Sequence, residues 1–208
     1  MVIAPHPDDE VIGCGGTILR HAKAGDPVSV VYLTSGEKSC GYPWLSPAQR
    51  KLKRKQEAQS SCKVLNVRDT VFLEGVDGQC SDPEVSAALT GPISAAIEAH
   101  QPVVIYVPHA DDNHPDHAAA YRLLRGIVAA STRRPSILQY ELWSPMHADY
   151  AVDVSSQMRA KIRAIKLHEL ALDAFDYIPT MVGLAAYRSG TMLQRKGYAE
   201  AFKRTPDL

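Results

Sequence analysis

The sequence lacks an excess of either charge, because 23 basic side chains are matched by 23 acidic ones. General nucleic-acid binders usually carry a basic excess, so the composition argues against that class. No apolar run reaches the roughly 18 residues that a membrane helix needs. No basic stretch followed by an apolar run and a cleavage site marks a secretory signal. We therefore expect a cytoplasmic protein without a membrane span that does not bind nucleic acid.

The sequence also lacks paired cysteines, internal repeats and low-complexity linkers. None of its four cysteines forms a CxxC pair, which argues against a cysteine zinc knuckle. We interpret them as reduced thiols, although the spacing leaves a Cys40–Cys80 disulfide open. A chain of 208 residues with no visible linker fits one domain over residues 1–208. The oligomeric state stays open, and a homo-oligomer is compatible with the sequence.

Short apolar runs alternate with longer segments of helical period. Each run is bounded by glycine, proline or polar residues, as expected of strands that are buried on both faces. The predicted strands are Val2–Ala4, Val28–Leu33, Thr70–Leu73, Val103–Val107 and Ser136–Glu141. The predicted helices are Gly16–Ala24, Pro47–Leu65, Pro83–Ala99, Pro115–Ala130 and Ser156–Leu172. This alternation predicts an α/β fold with a parallel sheet and helices on both faces.

Two polar clusters follow predicted strands directly. His6-Pro7-Asp8-Asp9-Glu10 comes after the first strand, and the stretch from His109 to His117 (HADDNHPDH) comes after the fourth. Ligands of open α/β sheets bind at the carboxyl ends of the strands. Clustered histidines and aspartates at that edge are typical of a metal site.

The chemistry of these clusters favours a catalytic metal. Two histidines and one carboxylate would leave an open coordination position, as catalytic zinc sites do. Nitrogen and oxygen ligands suit Zn²⁺, while Fe²⁺ or Co²⁺ would also fit. Asp8 and Asp9 are neighbours whose side chains point in different directions. One can therefore hold the metal while the other lies beside the metal-bound water.

Several motifs together resemble the LmbE/PIG-L family of zinc-dependent N-acetylglucosamine deacetylases. The two specific ones are HPDDE after the first strand, with its glycine-rich continuation, and the later HPDH. Weaker similarities are an R-x-x-E-A helix at Arg54, an Asp-Gly at Asp77, a K…H helix from Lys161 to His168 and the segment Ala199-Glu200-Ala201-Phe202. Asn66 stands where the family usually has glycine, and asparagine suits a left-handed helix end. The resemblance implies a Rossmann-like three-layer fold.

The resemblance also implies roles for individual residues. The zinc ligands would be His6, Asp9 and His117, with Glu10 behind them. Asp8 would be the general base that activates zinc-bound water against the acetyl carbonyl. His114, oriented by Asp116, would stabilise the oxyanion as a cation or protonate the leaving amine.

The substrate implied is a small N-acetylated sugar or glycoside. Arg54 is a candidate for binding a substrate phosphate or hydroxyl, with solvation of its charged helix as the alternative. Asp77 is a candidate for a sugar hydroxyl, although Asp-Gly is also an ordinary turn. Residues 37–47 match nothing in the family pattern. Their Tyr42 and Trp44 would stack on a sugar or a hydrophobic aglycone, pack at the surface or form an oligomer contact.

Three other functions compete with deacetylation. A facial triad of two histidines and a carboxylate also serves Fe(II) oxygenases, but those sites generally lie in all-β barrels. A dinucleotide-binding loop is disfavoured because Ile18 breaks the G-x-G-x-x-G pattern. A non-catalytic metal-binding or sugar-binding protein is disfavoured by the intact Asp8 and His114.

Overall fold

The computed structural model describes residues 1–38 and 42–206. Within these residues the strands are β1 (Val2–Ala4), β2 (Ser29–Thr34), β3 (Asp69–Gly75), β4 (Val104–Pro108), β5 (Ser136–Tyr140), β6 (Tyr150–Asp153) and β7 (Ala199–Arg204). The helices are α1 (Asp9–Ala24), α2 (Pro47–Val64), α3 (Pro83–His100), α4 (Pro115–Ala130), α5 (Met158–Ile165), α6 (Glu169–Ala174) and α7 (Ile178–Met192).

The strands form one 7-stranded sheet in the order β3-β2-β1-β4-β5-β7-β6. Strands β1 to β5 pair in parallel, whereas β7 is antiparallel to both β5 and β6. The predicted α/β fold with a mostly parallel sheet is therefore confirmed, and all five predicted strands are present.

Helices cover both faces of the sheet. Alternate residues of β1 and β2 point to opposite faces, as the strand period of two requires. Val2 and Val30 belong to one apolar cluster, which α1, α2, α5 and α7 complete. Ile3 and Val31 belong to a second cluster, which α3 and α4 complete. The polar residues that follow these buried strands therefore lie at the carboxyl edge of the sheet.

The start of α1 differs from the prediction, because the helix begins at Asp9 instead of Gly16. Its glycine-rich run resembles a loop in the sequence, but it lies inside the helix, with non-helical angles at Cys14 (φ −139°). A Cβ on Gly13 would collide with the Tyr140 ring, and one on Gly16 would lie 2.5 Å from Val154. These glycines are therefore needed for close packing of the helix on its neighbours.

The prediction of one continuous helix over Ser156–Leu172 is wrong. The structure divides it into α5 and α6, with the break at residues 166–168. After the break, the Leu170 backbone N–H donates to Glu57 on α2 at 3.2 Å. The change of direction thus docks α6 on α2. In contrast, Asn66 has the expected left-handed angle (φ 56°) just after α2.

The C-terminal elements β6, α7 and β7 were not predicted. Their strands carry charged residues, so they lack the apolar runs that identified β1 to β5. Cys14, Cys62 and Cys80 are buried free thiols, while Cys40 lies outside the described residues. Across residues 1–38 and 42–206, no helix combines the length and the apolar character needed to cross a membrane.

Candidate active site

The two predicted clusters lie side by side at the carboxyl edge of the sheet. The first follows β1 and leads into α1, and the second follows β4 and leads into α4. Strands β1 and β4 are far apart along the chain, but they are direct neighbours in the sheet. The topology therefore brings His6 within contact distance of His117.

Three donor atoms from these clusters form a nearly equilateral triangle. His6 Nδ1 lies 3.2 Å from Asp9 Oδ2, Asp9 Oδ2 lies 3.3 Å from His117 Nε2, and the two nitrogens are 3.4 Å apart. Tetrahedral zinc with bonds of about 2.0–2.1 Å requires donor separations of roughly 3.3 Å. All three side chains are buried. The donor set thus fits a metal ion in both chemistry and spacing.

The remaining nitrogen of each histidine meets a carboxylate. His6 Nε2 lies 3.1 Å from Asp116 Oδ2 and 3.2 Å from Asp77 Oδ1. His117 Nδ1 lies 2.9 Å from Asp112 Oδ1. A carboxylate on the far nitrogen holds the proton there and leaves the facing nitrogen as a lone-pair donor. Both imidazoles are therefore oriented as metal ligands.

The carboxylates also dominate the local electrostatics. Burial alone lowers the pKa of His117, but Asp9 and Asp112 raise it to about 9. Burial raises the pKa of Asp9, yet the neighbouring His117 and His6 hold it well below its ordinary value. This surplus of negative charge attracts a cation, and a metal binds such histidines by displacing their protons.

In the part of the chain that the structure describes, two other groups have donor atoms within 4.8 Å of one another, namely His6 with His114 and His117, and His6 with Asp77 and Asp116. The second group is committed to other partners. Asp116 accepts the backbone N–H groups of Gly78 at 2.8 Å and Cys80 at 2.9 Å. The Asp9 carboxylate also accepts a backbone N–H, from His6 at 2.8 Å. We favour the triangle with Asp9 because it combines two imidazoles and one carboxylate, a donor set of catalytic zinc sites.

The structure corrects the expected partner of Asp116 and shows the surroundings of Asp77. The Asp116 carboxylate contacts His6 and does not orient the His114 ring. Instead, His114 caps α4, and its Nδ1 accepts the Asp116 backbone N–H at 3.2 Å. Asp77 faces His6 and accepts the Lys38 backbone N–H at 2.7 Å; its binding of a sugar hydroxyl stays a prediction.

The capping bond fixes the state of His114. Because Nδ1 accepts a hydrogen bond, the proton of the neutral ring lies on Nε2. Burial and the nearby His6 and His117 lower the pKa of His114. The expected cationic His114 is therefore disfavoured, and the ring is a neutral N–H donor. It stacks on His117 with centroids 4.6 Å apart, which places it beside the metal position.

Asp8 lies on the other side of the triangle in a strained backbone conformation (φ 137°). Positive φ at a non-glycine residue is typical of functional sites. Its carboxylate accepts hydrogen bonds from both terminal nitrogens of Arg54, at 3.3 and 3.4 Å. It also accepts one from the Tyr177 hydroxyl at 3.1 Å. Burial raises the pKa of Asp8, against the lowering effect of Arg54.

Arg54 lies elsewhere than the sequence suggested. Its side chain is only 1% exposed and points at Asp8, so it is neither solvated nor displayed to substrate. Glu10 is buried as expected and accepts the Asp8 backbone N–H at 3.1 Å. Burial and the Asp8 charge raise the pKa of Glu10 to about 8. Arg54 and Glu10 thus hold the side chain and the backbone of Asp8.

Sequence reasoning missed three residues near the site. Asp112 belongs to the second cluster, but nothing in the pattern distinguished it from its neighbour Asp111. Tyr177 carries no motif and reaches Asp8 only through the tertiary fold. Trp143 follows β5 and donates its backbone N–H to Asp112 Oδ2 at 3.0 Å.

The segment 37–47 is described in part, because residues 39–41 lie outside the described residues. Tyr42 and Trp44 contact each other with ring centroids 4.9 Å apart, and Trp44 is exposed. Their stacking on a substrate stays a prediction.

The family model of PIG-L (GlcNAc-PI de-N-acetylase) matches residues 1–128. The chain belongs to the PIG-L family. This match covers both polar clusters and confirms the resemblance drawn from HPDDE and HPDH.

Similar proteins extend the match of this PIG-L family member beyond residue 128. Diacetylchitobiose deacetylase of Thermococcus kodakarensis is 25% identical over 226 residues, covering 100% of this chain and 83% of the relative. The solved N,N'-diacetylchitobiose deacetylase from Pyrococcus horikoshii, complexed with its inhibitor MPG, has a TM-score of 0.85 at 25% identity and covers 99% of this chain and 82% of its own. GalB, the 4-carboxy-2-hydroxymuconate hydratase from Pseudomonas putida KT2440, has a TM-score of 0.83 at 21% identity. The match covers 100% of this chain and 96% of the GalB chain. That last likeness shows the fold alone.

Proposed function

We propose that this protein removes the acetyl group from the nitrogen of an N-acetylglucosamine-type sugar or glycoside, using a bound zinc ion. The observation that carries the proposal is the donor triangle of His6, Asp9 and His117 with Asp8 beside it. Membership of the PIG-L family and the similarity to diacetylchitobiose deacetylases support the reaction and the substrate class. Within this proposal residues 1–208 are one catalytic domain that works in the cytoplasm.

Zinc is favoured because the two nitrogens and one oxygen match its ligand preference and its tetrahedral spacing. Fe²⁺ or Co²⁺ would fit the same donors. When bound, the ion would polarise the acetyl carbonyl and make a water molecule more acidic. Three protein ligands leave coordination space for the substrate and that water.

Asp8 serves as the general base. Its carboxylate is buried, and Arg54 and Tyr177 hold it in one orientation. Burial raises its pKa, which increases its tendency to take a proton from the attacking water. As the carbon–nitrogen bond breaks, Asp8 gives that proton to the leaving nitrogen, so that the sugar departs as a neutral amine. His114 is unsuited to this second step, because its Nδ1 is occupied by the α4 cap.

His114 stabilises the oxyanion as a neutral donor. Its Nε2–H is the free hydrogen-bonding group of the ring, and the ring is packed on His117. A preorganised donor beside the developing negative charge contributes a factor of about 10²–10³ in typical oxyanion holes. The half-buried position of His114 leaves it accessible to substrate.

An Fe(II) oxygenase would use the same two histidines and one carboxylate, but the family match and the α/β fold favour hydrolysis. The additional carboxylate of Asp8 also fits hydrolysis, because a base beside the metal activates water. Acetate release without oxygen distinguishes the two reactions.

The test is acetate release from a panel of N-acetylglucosamine derivatives by the zinc-loaded protein. Asp8→Asn should reduce turnover by about 10²–10⁴-fold, the usual contribution of a general base, while bound zinc stays near the wild-type level. Asp111→Asn is the matched control, because Asp111 lies in the second cluster but is exposed. It should retain both turnover and zinc.

Each outcome has a distinct meaning. Zinc binding without acetate release from any derivative would overturn the substrate class. Absence of zinc binding would overturn the metal site. Full activity in Asp8→Asn would assign the base to another residue.

A further inference from the structure

Three aromatic side chains form a continuous group next to Asp8. Trp143 follows β5, while Phe175 and Tyr177 lie between α6 and α7. The Trp143 ring lies 5.9 Å from the Tyr177 ring and 6.4 Å from the Phe175 ring, measured between centroids. Tyr177 is buried, but Trp143 is 38% exposed and Phe175 is 58% exposed. The group therefore runs from the base outward to solvent.

Trp143 and Tyr177 each donate one hydrogen bond to a carboxylate of the proposed catalytic site. Tyr177 donates its hydroxyl to Asp8 at 3.1 Å. The Trp143 backbone N–H donates to Asp112, the carboxylate that orients His117. A ligand that extends from Asp8 toward solvent on this side of the site would therefore contact these rings.

The shape of the exposed pair suits a flat ligand. The Trp143 and Phe175 rings are inclined by 57°, so they form a shallow corner. One ring face can stack on a ligand while the other contacts its edge, as aromatic groups prefer. Trp143 also offers an indole N–H for a polar substituent at the rim. Small-molecule sites commonly combine aromatic walls with a few polar groups in this way.

We propose that Trp143 and Phe175 form a subsite for a second ring attached to the reacting amino sugar, so that the preferred substrate is a ring-bearing glycoside. This inference rests on the proposed deacetylase function for the position of the reacting sugar. The subsite contributes to binding and selectivity, and Tyr177 connects it to the base.

The kinetic test compares N-acetylglucosamine with its phenyl β-glycoside. Wild type should favour the phenyl glycoside in kcat/KM, mainly through KM. Phe175→Ala should lower the ratio of the two kcat/KM values by roughly three- to tenfold, the size of one aromatic contact. Tyr187→Ala is the matched control, because Tyr187 is an aromatic residue of α7 that is 57% exposed and has no described contact with the site. It should leave the ratio unchanged.

A binding test separates the subsite from the reaction. The chain has two tryptophans, so Trp44→Phe makes Trp143 the single indole fluorophore. In a Trp44→Phe, Asp8→Asn protein, the phenyl glycoside should change the Trp143 fluorescence with saturation. Adding Phe175→Ala should weaken that binding by a similar three- to tenfold factor.

The outcomes distinguish this inference from the deacetylase function. If acetate is released but Phe175→Ala leaves the ratio unchanged, the subsite is overturned and the function stands. If no acetate is released, the fluorescence decides. A saturable response that weakens in Phe175→Ala supports the subsite without the function, and no response overturns it.

Discussion

The parallel part of the chain up to residue 140 and the part after it contribute different things to the site. The first part supplies His6, Asp9 and His117 as proposed ligands and Asp8 as proposed base. The second part supplies Tyr177 and the exposed aromatic pair. The family match over residues 1–128 falls within the first part. The comparison suggests that the reaction is built into the parallel strands, while positioning and selectivity come from the C-terminal elements.

The second part also supports the first through a buried ion pair. Lys161 on α5 donates to Glu200 on β7 at 2.7 Å and to the Ile12 carbonyl in α1 at 2.7 Å. Glu200 accepts the backbone N–H groups of Gly16 and Thr17 at 2.8 and 2.7 Å. The pair therefore satisfies the backbone groups that the irregular turn at Cys14 would otherwise leave without partners.

The largest effect is expected for Lys161→Met. Removing one member of a buried ion pair leaves the other charge uncompensated and costs about 3–5 kcal/mol. We expect the free energy of unfolding, measured by urea denaturation, to fall by that amount. Arg195→Met is the control, because the exposed Arg195–Asp153 pair should contribute at most about 1 kcal/mol. Equal effects of the two substitutions would show that the C-terminal part does not support α1.

A second test concerns the proposed metal ligands of the first part. Asp112→Asn removes the carboxylate from the far nitrogen of His117, and loss of such a partner typically lowers metal affinity by about 10–100-fold. Competition with a chelator measures the affinity for zinc. Asp111→Asn should bind zinc like wild type. Wild-type affinity in Asp112→Asn would contradict the assignment of His117 as a ligand.

The smallest effect is expected at the contact between the two parts. Tyr177→Phe removes the hydroxyl that donates to Asp8, and hydrogen bonds to charged groups contribute about 1.5–3 kcal/mol. Because Arg54 still holds the Asp8 carboxylate, we expect the lower end of this range, a fall in kcat/KM of roughly tenfold. The hydroxyl stabilises the ionised carboxylate, so its loss raises the pKa of Asp8 and shifts the acidic limb of the pH profile to higher pH. Tyr187→Phe should change neither quantity, and an unshifted limb in Tyr177→Phe would contradict the contact.

The same division explains what the sequence could predict. Strands β1 to β5 are apolar runs, and their polar continuations carry HPDDE and HPDH, so the fold class and the two clusters were predictable. The C-terminal strands carry charged residues such as Glu200 and Lys203, so they lack the apolar runs by which strands were predicted. The predicted start of α1 at Gly16 was wrong, because the close packing of the glycines in this helix depends on other elements.

Side-chain partners were harder to predict than the site itself. Asp77 and Asp116 both reach His6 because three loops converge at one sheet edge, and spacing along the chain does not encode this. Arg54 lies on a helix rich in basic residues, so its burial against Asp8 had no local signal. Pairings of this kind follow from tertiary packing.

The most direct test of the account is a crystal structure of the zinc-loaded protein with anomalous diffraction at the zinc edge. We expect an ion bound by His6 Nδ1, Asp9 Oδ2 and His117 Nε2, with the Asp8 carboxylate beside its open coordination space. An ion held instead by Asp77 and Asp116, or bound away from this edge of the sheet, would contradict it.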